Sequence, residues 1–89
     1  MTTIYSVEDD ASIRELILYA AKTCGYDAKG FDNAQGMYQA LQEAIPSVIL
    51  LDIMLPGKDG ITLLKELKAS EKYKHIPVIL LTAKSSEYD

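Results

Sequence analysis

The feature that most constrains this chain is a short uncharged run that ends in one carboxylate, Ser47–Asp52. A loop containing Pro56, Gly57 and Gly60 follows at once. A β-favouring run of this length, closed by proline and glycine, predicts a strand buried on both faces of a parallel sheet. Asp52 would then lie at the strand's carboxyl end, where ligands collect in open α/β sheets. A lone aspartate at such a position can also merely cap the next turn or helix.

Short strands alternate with amphipathic helices on both sides of this run. The four predicted strands are Thr3–Val7, Tyr26–Phe31, Ser47–Asp52 and Val78–Leu81. The candidate N-caps of the three intervening helices are Asp9 or Asp10, Asp32 or Asn33, and Asp59. This alternation predicts an α/β fold with a parallel sheet and right-handed crossovers.

The polarity of the strands predicts their order in the sheet. The first, third and fourth strands are apolar throughout, whereas the second carries Asp27 and Lys29. Charged residues of this kind are typical of an edge strand. The predicted order is therefore 2-1-3-4, which places the carboxyl ends of the first and third strands side by side.

The first helix carries more apolar surface than one stripe requires. Residues at helical spacing predict an inward stripe of Ile13, Leu16, Ile17, Ala20, Ala21 and Cys24. Leu18 and Tyr19 widen this stripe, so the helix is expected to contact two neighbours. In the third helix the expected inward residues are Ile61, Leu64 and Leu67, with Leu63 beside them.

Length and composition limit the classes of protein that this chain can belong to. The 89 residues suit one domain, and 48% hydrophobic with 25% charged residues is ordinary for a globular protein. The lone Cys24 excludes a disulfide or a cysteine metal site within the chain. No apolar run is long enough to span a membrane, so a cytoplasmic location is predicted. A net charge of −4 without a basic stripe argues against direct nucleic-acid binding.

Acidic residues and a hydroxyl are predicted to meet at one rim of the sheet. Glu8 and Asp9 follow the first strand, Asp52 ends the third, and Thr82-Ala83 follows the fourth. Carboxylate oxygens without histidine or cysteine favour a hard cation such as Mg²⁺. The Thr82 hydroxyl and the Ala83 backbone amide could donate to an oxyanion on Asp52. A metal-neutralised aspartate at an open rim suits nucleophilic attack on phosphorus.

Each of these residues also has a simpler interpretation. The acidic triplet Glu8-Asp9-Asp10 could serve only as a helix N-terminus, where the helix dipole favours negative charge. Thr82 could be an ordinary strand-end residue, and Pro56 and Gly60 could belong to any turn. The combination is harder to obtain by chance than any single member.

The combination resembles the receiver domain of bacterial response regulators. The residues that carry the resemblance are Val7–Asp10, Val48–Gly60 and Ile76–Ala83, and the similarity extends over the whole chain. The resemblance implies a flavodoxin-like fold in which a parallel sheet lies between two layers of helices. It also implies a function as the phospho-acceptor of a two-component pathway.

The resemblance implies a role for each residue that matches the family's motifs. Asp52 would be the phospho-acceptor, and Glu8, Asp9 and Asp52 would bind Mg²⁺ together with the backbone carbonyl of Met54. Thr82 would be the switch hydroxyl and Ala83 would contact the phosphoryl group. Pro56 and Gly60 would shape the loop after the third strand. Glu8 stands where many receivers have Asp, a change between two hard oxygen ligands.

The chain departs from the family at its end. A receiver continues through a fourth helix, a fifth strand with an essential lysine and a fifth helix, whereas this sequence ends at Asp89. A single truncated receiver domain over residues 1–89 is therefore expected, with switching impaired. No residue takes the lysine's role, because Lys84 falls in the next loop. The uncovered edge of the fourth strand predicts a homo-oligomer.

Three functions are consistent with the sequence. The first is a receiver phosphorylated at Asp52 by a sensor histidine kinase, which is not itself an enzyme. The second is a haloacid-dehalogenase-like phosphatase, but such enzymes need a second aspartate two positions after the nucleophile, where this chain has Met54. The third is a non-signalling interaction module, or an engineered receiver fragment, that self-associates.

Overall fold

Strands and helices alternate throughout the computed structural model, which describes residues 2–55 and 57–81. The strands are β1 (Thr3–Val7), β2 (Asp27–Phe31), β3 (Val48–Asp52) and β4 (Val78–Leu81). The helices are α1 (Ala11–Thr23), α2 (Ala34–Leu41) and α3 (Gly60–Ala69). Each helix connects two strands that run in the same direction.

The strands form one parallel sheet in the order β2-β1-β3-β4, which confirms the predicted fold class. β2 lies at an edge, as its charged residues indicated. It begins at Asp27 rather than Tyr26, because the Tyr26 N–H donates to the Ala21 carbonyl at 3.0 Å and so completes the turn after α1. β1 and β3 are neighbours along most of their length, which brings their carboxyl ends together.

The main core lies on the face of the sheet that α2 and α3 cover. Its most deeply buried side chains are Tyr5, Val7, Met37, Leu41, Ile49, Leu51, Leu63 and Leu67. They come from alternate positions of β1 and β3 and from one side of each helix. Fully burying one such side chain contributes roughly 1.5–3 kcal/mol, so this face supplies most of the hydrophobic stabilisation.

An aromatic pair closes the core beneath the carboxyl end of β1. The rings of Tyr5 and Phe31 meet edge to face, with centroids 5.3 Å apart and an angle of 73° between their planes. The Tyr5 hydroxyl donates to the Ala44 carbonyl at 3.0 Å, so the buried phenol has a partner. This contact joins β1, the end of β2 and the segment after α2.

The predicted inward stripe of α1 was wrong for several of its members. Leu16 is 67% exposed and Ile13 is also exposed, whereas Ala21 is buried and Leu18 is half-buried. The side chain of Leu18 lies over Gly30 of β2, so α1 contacts the sheet through a line of residues beside the expected one. Because α1 is apolar over more than one stripe, its periodicity alone could not identify the side that meets the sheet.

The helix N-termini follow the predicted capping. Asp10, Asn33 and Asp59 each accept a hydrogen bond from the backbone N–H three residues later, at 3.0, 2.9 and 2.7 Å respectively. In α3 the expected inward position of Ile61 was wrong, since its side chain is exposed and Leu63 takes the buried place. The cap at Asp59 fixes the start of α3 directly after the loop that leaves β3.

Within residues 2–55 and 57–81, no helix has both the length and the apolar character needed to cross a membrane.

Gly60 lies against the end of β3. Its backbone N–H donates to the Ile53 carbonyl at 2.8 Å. A Cβ atom at this position would overlap the backbone of Asp52 and Ile53. Only glycine therefore lets α3 begin this close to the strand end.

Replacing Gly60 with alanine is expected to destabilise the protein by about 1–3 kcal/mol, because the added methyl must displace backbone atoms of β3. Gly36→Ala is the matched control, since a Cβ there meets only side-chain atoms at 3.4 Å or more and α2 gains a better helix former. Urea unfolding of both variants measures the difference. Equal stability of the two variants would show that the contact at Gly60 is easily relieved.

Candidate functional site

Three carboxylates converge where β1 and β3 end. Asp52 is the last residue of β3, and Glu8 and Asp9 follow β1 directly. One oxygen from each lies within 4.8 Å of the others. Glu8 is 6% exposed and Asp52 is 8% exposed, whereas Asp9 faces solvent. The predicted acidic residues are thus brought together in a notch that opens on one side.

Backbone contacts hold Glu8 at this rim. Its N–H donates to the Phe31 carbonyl at 2.9 Å, which extends the pairing of β1 with β2 by one residue. Its Oε2 accepts the Asp10 N–H at 3.0 Å, and its carbonyl accepts a hydrogen bond from Nη1 of Arg14 at 2.8 Å. The local geometry therefore fixes both the backbone and the carboxylate of Glu8.

The residues of the acidic triplet Glu8-Asp9-Asp10 have two different roles, one at the start of α1 and one at the rim of the sheet. Asp10 caps α1 through the Ile13 N–H, so the helix-terminus interpretation describes this residue. Glu8 and Asp9 instead group with Asp52. Sequence alone could not separate the two roles, because adjacent carboxylates suit a helix N-terminus equally well.

Asp52 is oriented by the loop that follows it. Its Oδ1 accepts the Met54 N–H at 3.2 Å. The N–H of Ile53 donates to the Leu81 carbonyl at 3.0 Å, so β4 supports the start of this loop. Met54 itself is exposed and lies in the loop beside the acidic notch.

The carboxylates of the notch repel one another, and burial disfavours their charged forms. Burial, and to a smaller extent the negative charge of Asp52, raise the pKa of the Glu8 carboxyl above its usual range. Hydrogen bonding of its protonated form to Asp9 and Asp52 acts in the same direction. Either a shared proton or a bound cation relieves the repulsion between two buried carboxylates that lie this close.

The donor set suits a hard divalent cation. All the side-chain donors are carboxylate oxygens, and their spacing within 4.8 Å allows them to face one ion. Mg²⁺ is bound through one or two carboxylates and keeps several waters, and the open side of the notch leaves room for them. The residues present therefore fit Mg²⁺.

Several predicted site residues lie outside the described residues. They are Pro56, Thr82 and Ala83; Lys84, to which no role is assigned, lies in the same part of the chain. Gly60 lies behind the notch, where it packs on the backbone of Asp52. The roles assigned to all of these residues stay predictions.

A hydrogen-bonded tether that sequence reasoning missed holds the loop after β3. Lys58 Nζ lies 2.9 Å from Glu66 Oε2, and the Tyr38 hydroxyl donates to Glu66 Oε1 at 2.9 Å. Lys58 holds the pKa of Glu66 below its usual range, whereas burial and the contact with Glu66 raise the pKa of Tyr38. Both ionic groups are largely exposed, so the pair contributes less than about 1 kcal/mol.

Arg14 is the second residue near the site that the sequence patterns did not reveal. It is the only arginine in the chain and lies one turn into α1. Its partner is a backbone carbonyl, which no side-chain pattern reveals. The one available signal was an isolated arginine shortly after an acidic triplet.

Comparisons with known proteins agree with this geometry. The model of the response regulator receiver domain family matches residues 4–89, which confirms the resemblance predicted from the motifs. The phosphate regulon transcriptional regulatory protein PhoB of Pseudomonas aeruginosa is 44% identical over 85 residues, which cover 96% of this chain and 37% of that protein. The chain thus spans little more than a third of that relative.

Solved structures show the same fold. The N-terminal domain of a response regulator receiver protein from Methanoculleus marisnigri JR1 has a TM-score of 0.89 at 31% identity, over 94% of this chain and 68% of that one. The Mn²⁺-bound form of the response regulator Rcp1 has a TM-score of 0.83 at 30% identity, over 96% of this chain and 68% of that one.

Replacing Glu8 with glutamine is expected to stabilise the metal-free protein at neutral pH. A raised carboxyl pKa means that the folded state holds the proton more tightly than the unfolded state. Wild-type stability should therefore fall relative to the variant as the pH rises from the ordinary glutamate value, near 4.5. Urea unfolding in EDTA across this range measures the difference.

The exposed Glu15 of α1 supplies the control for this comparison. Glu15→Gln removes one carboxylate from the same part of the chain without touching the notch. A stability difference for Glu8→Gln that does not change with pH would contradict the electrostatic account of the notch.

Proposed function

The chain belongs to the response regulator receiver domain family, and on this premise we propose that it accepts a phosphoryl group on Asp52 in a two-component pathway. One observation carries the proposal. Asp52 is a buried carboxylate at the carboxyl end of β3, and it shares a notch less than 5 Å across with the carboxylates of Glu8 and Asp9.

The proposed cofactor is Mg²⁺, held by Glu8, Asp9 and Asp52 with the backbone carbonyl of Met54 as a further ligand. The oxygen-only donor set and the raised pKa of Glu8 support this assignment. The similarity to a structure obtained with Mn²⁺ is consistent with a divalent cation at this site. When bound, the ion neutralises the carboxylates and the charge that develops on the phosphoryl oxygens.

The protein's own residues orient the nucleophile. The Met54 N–H donates to Oδ1 of Asp52 at 3.2 Å, so Oδ2 is the oxygen proposed to attack phosphorus. The new bond forms between this oxygen and phosphorus as the bond from phosphorus to the donor's imidazole nitrogen breaks. The imidazole leaves with the electron pair and is protonated. Thr82 and Ala83 are proposed to donate hydrogen bonds to the phosphoryl oxygens.

The proposed phosphoryl donor is a phosphohistidine on a sensor histidine kinase. Such kinases use ATP, so the proposed location is the cytoplasm. The relative from Pseudomonas aeruginosa is a transcriptional regulatory protein. Regulation of transcription is therefore proposed for the longer protein, while this segment, with a net charge of −4, is not proposed to contact DNA.

The domain is proposed to act as a switch rather than as an enzyme. A phosphatase of the aspartate-nucleophile type would need a second carboxylate two positions after Asp52 to protonate its leaving group. That position is Met54, whose side chain is exposed and has no acidic group. The sequence is consistent with acceptance of one phosphoryl group and not with turnover of phosphate esters.

A second candidate function is self-association. Leu16 and Tyr19 of α1 are 67% and 72% exposed, and Ile79 of β4 is 51% exposed. Within the described residues, β4 pairs with β3 on one side only. An apolar surface beside an open strand edge favours pairing with a second copy.

Treatment with a small phosphoryl donor and Mg²⁺ is expected to add one phosphoryl group to the wild-type protein. Asp52→Asn should abolish the mass gain, because it removes the attacking carboxylate. Asp27→Asn, which changes an exposed aspartate at the other end of the sheet, should leave it intact. Intact-protein mass spectrometry distinguishes these results. Labelling of Asp52→Asn to the wild-type extent would place the acceptor elsewhere.

Light scattering over a range of concentrations tests self-association. The wild-type protein is expected to form a discrete oligomer, and Ile79→Lys to shift it toward monomer by placing a charge on the apolar surface. Ile61→Lys, at a similarly exposed apolar position on α3 at the opposite face of the sheet, controls for the added charge. A wild-type protein that stays monomeric at the highest concentration excludes this second function.

A further inference from the structure

The side chain of Arg14 links α1 to the backbone of the acidic notch. Its Nη1 donates to the Glu8 carbonyl at 2.8 Å, and the residue is half-buried. Among the described residues no carboxylate forms a salt bridge with it. The guanidinium therefore donates to a main-chain oxygen rather than to a carboxylate.

Packing over β2 sets the path of this side chain. A Cβ atom on Gly30 would lie 2.9 Å from Cγ and 3.1 Å from Cδ of Arg14. The missing side chain at position 30 thus leaves a passage through which the stem of Arg14 crosses to Glu8. Beyond the stem, Arg14 borders an open cavity of about 480 Å³ that Gln35 and Gln39 also line.

The hydrogen bond from Arg14 completes the restraint on Glu8. Phe31 holds the N–H of Glu8 and Arg14 holds its carbonyl, so the peptide units on both sides of its Cα are fixed. The Asp10 N–H then orients the carboxylate. Without Arg14, the Glu8 carbonyl would lose its hydrogen-bond donor, and the peptide between Glu8 and Asp9 would be held less firmly.

We propose that Arg14 is a positioning residue, which clamps the Glu8 carbonyl and so presents Glu8 and Asp9 to a divalent cation. The proposal rests on the proposed function of the notch as a Mg²⁺ site. A measurement can distinguish this positioning role of Arg14 from a role as a counter-charge to the carboxylates. A nearby positive charge repels Mg²⁺, so removal of a mere counter-charge would tighten Mg²⁺ binding. Removal of a clamp would weaken it.

The main test is the Mg²⁺ affinity of Arg14→Met, measured by calorimetry. Methionine keeps much of the apolar stem and removes the guanidinium. Loss of a group that orients a metal ligand typically costs about 10–100-fold in affinity, so a weakening of about 10-fold is expected. Arg14→Lys, which keeps a charged donor, should recover part of the affinity. Lys22→Met, at the far end of α1, should bind as the wild type does.

Two further measurements separate the clamp from a general loss of structure. Amide hydrogen exchange in EDTA should be faster at Glu8 and Asp10 in Arg14→Met, with the centre of β3 unchanged. Gly30→Ala keeps the guanidinium but blocks the path of its stem, so it should reproduce both the faster exchange and the weaker Mg²⁺ binding.

Each result of these measurements either supports the proposal or overturns it. Unchanged or tighter Mg²⁺ binding by Arg14→Met overturns it, as does unchanged exchange at Glu8 and Asp10. If the wild-type protein does not bind Mg²⁺, the proposed function fails, while the exchange data in EDTA still decide whether Arg14 clamps Glu8. If Arg14→Met fails to fold, Gly30→Ala provides the same comparison.

Discussion

The repulsion between carboxylates at the ends of β1 and β3 is the constraint on which the rest of the structure depends. Parallel pairing of these two strands makes Glu8 and Asp52 neighbours, and burial denies them the water that would screen their charges. The fold compensates with backbone donors aimed at each carboxylate, from Asp10 and from Met54. The proposed Mg²⁺ would neutralise the charge that these backbone donors leave uncompensated.

The surrounding elements restrain this arrangement from two directions. On one side, Gly60 lets α3 start directly against β3, and the contact of Lys58 and Tyr38 with Glu66 ties the intervening loop to α2 and α3. On the other side, Arg14 crosses from α1 to the end of β1. The pair of Lys58 and Glu66 contributes little to global stability, because both groups are largely exposed. The common effect of all these contacts is local rigidity around the acidic notch.

The sequence was sufficient to predict the strand order, the edge position of β2 and, to within one residue, the caps of the three helices. These features depend on local chemistry, namely apolar strands, charges at an edge and short polar side chains at helix starts. The buried sides of α1 and α3 were harder to predict from the sequence. Leu16 and Ile61 have the spacing of core residues, yet both are exposed, because the surface of the sheet decides which side of a helix is buried.

The acidic residues of the candidate site were also predictable, because strand ends in a parallel sheet meet at one edge. Arg14 was not, since its contact joins a side chain to a backbone carbonyl six residues earlier and requires the missing side chain of Gly30. Such contacts leave no periodic signal. Such contacts can be identified only once the three-dimensional path of the backbone is known.

The edge-to-face pair of Tyr5 and Phe31 has a spectroscopic consequence. The chain contains no tryptophan, so its near-ultraviolet circular dichroism arises mainly from tyrosines held in rigid, asymmetric surroundings. Tyr5 is buried and its ring contacts Phe31, whose carbonyl holds the backbone of Glu8. Tyr5, one of six tyrosines, is therefore expected to contribute to this signal from directly behind the acidic notch, and a Tyr5→Phe variant isolates its share.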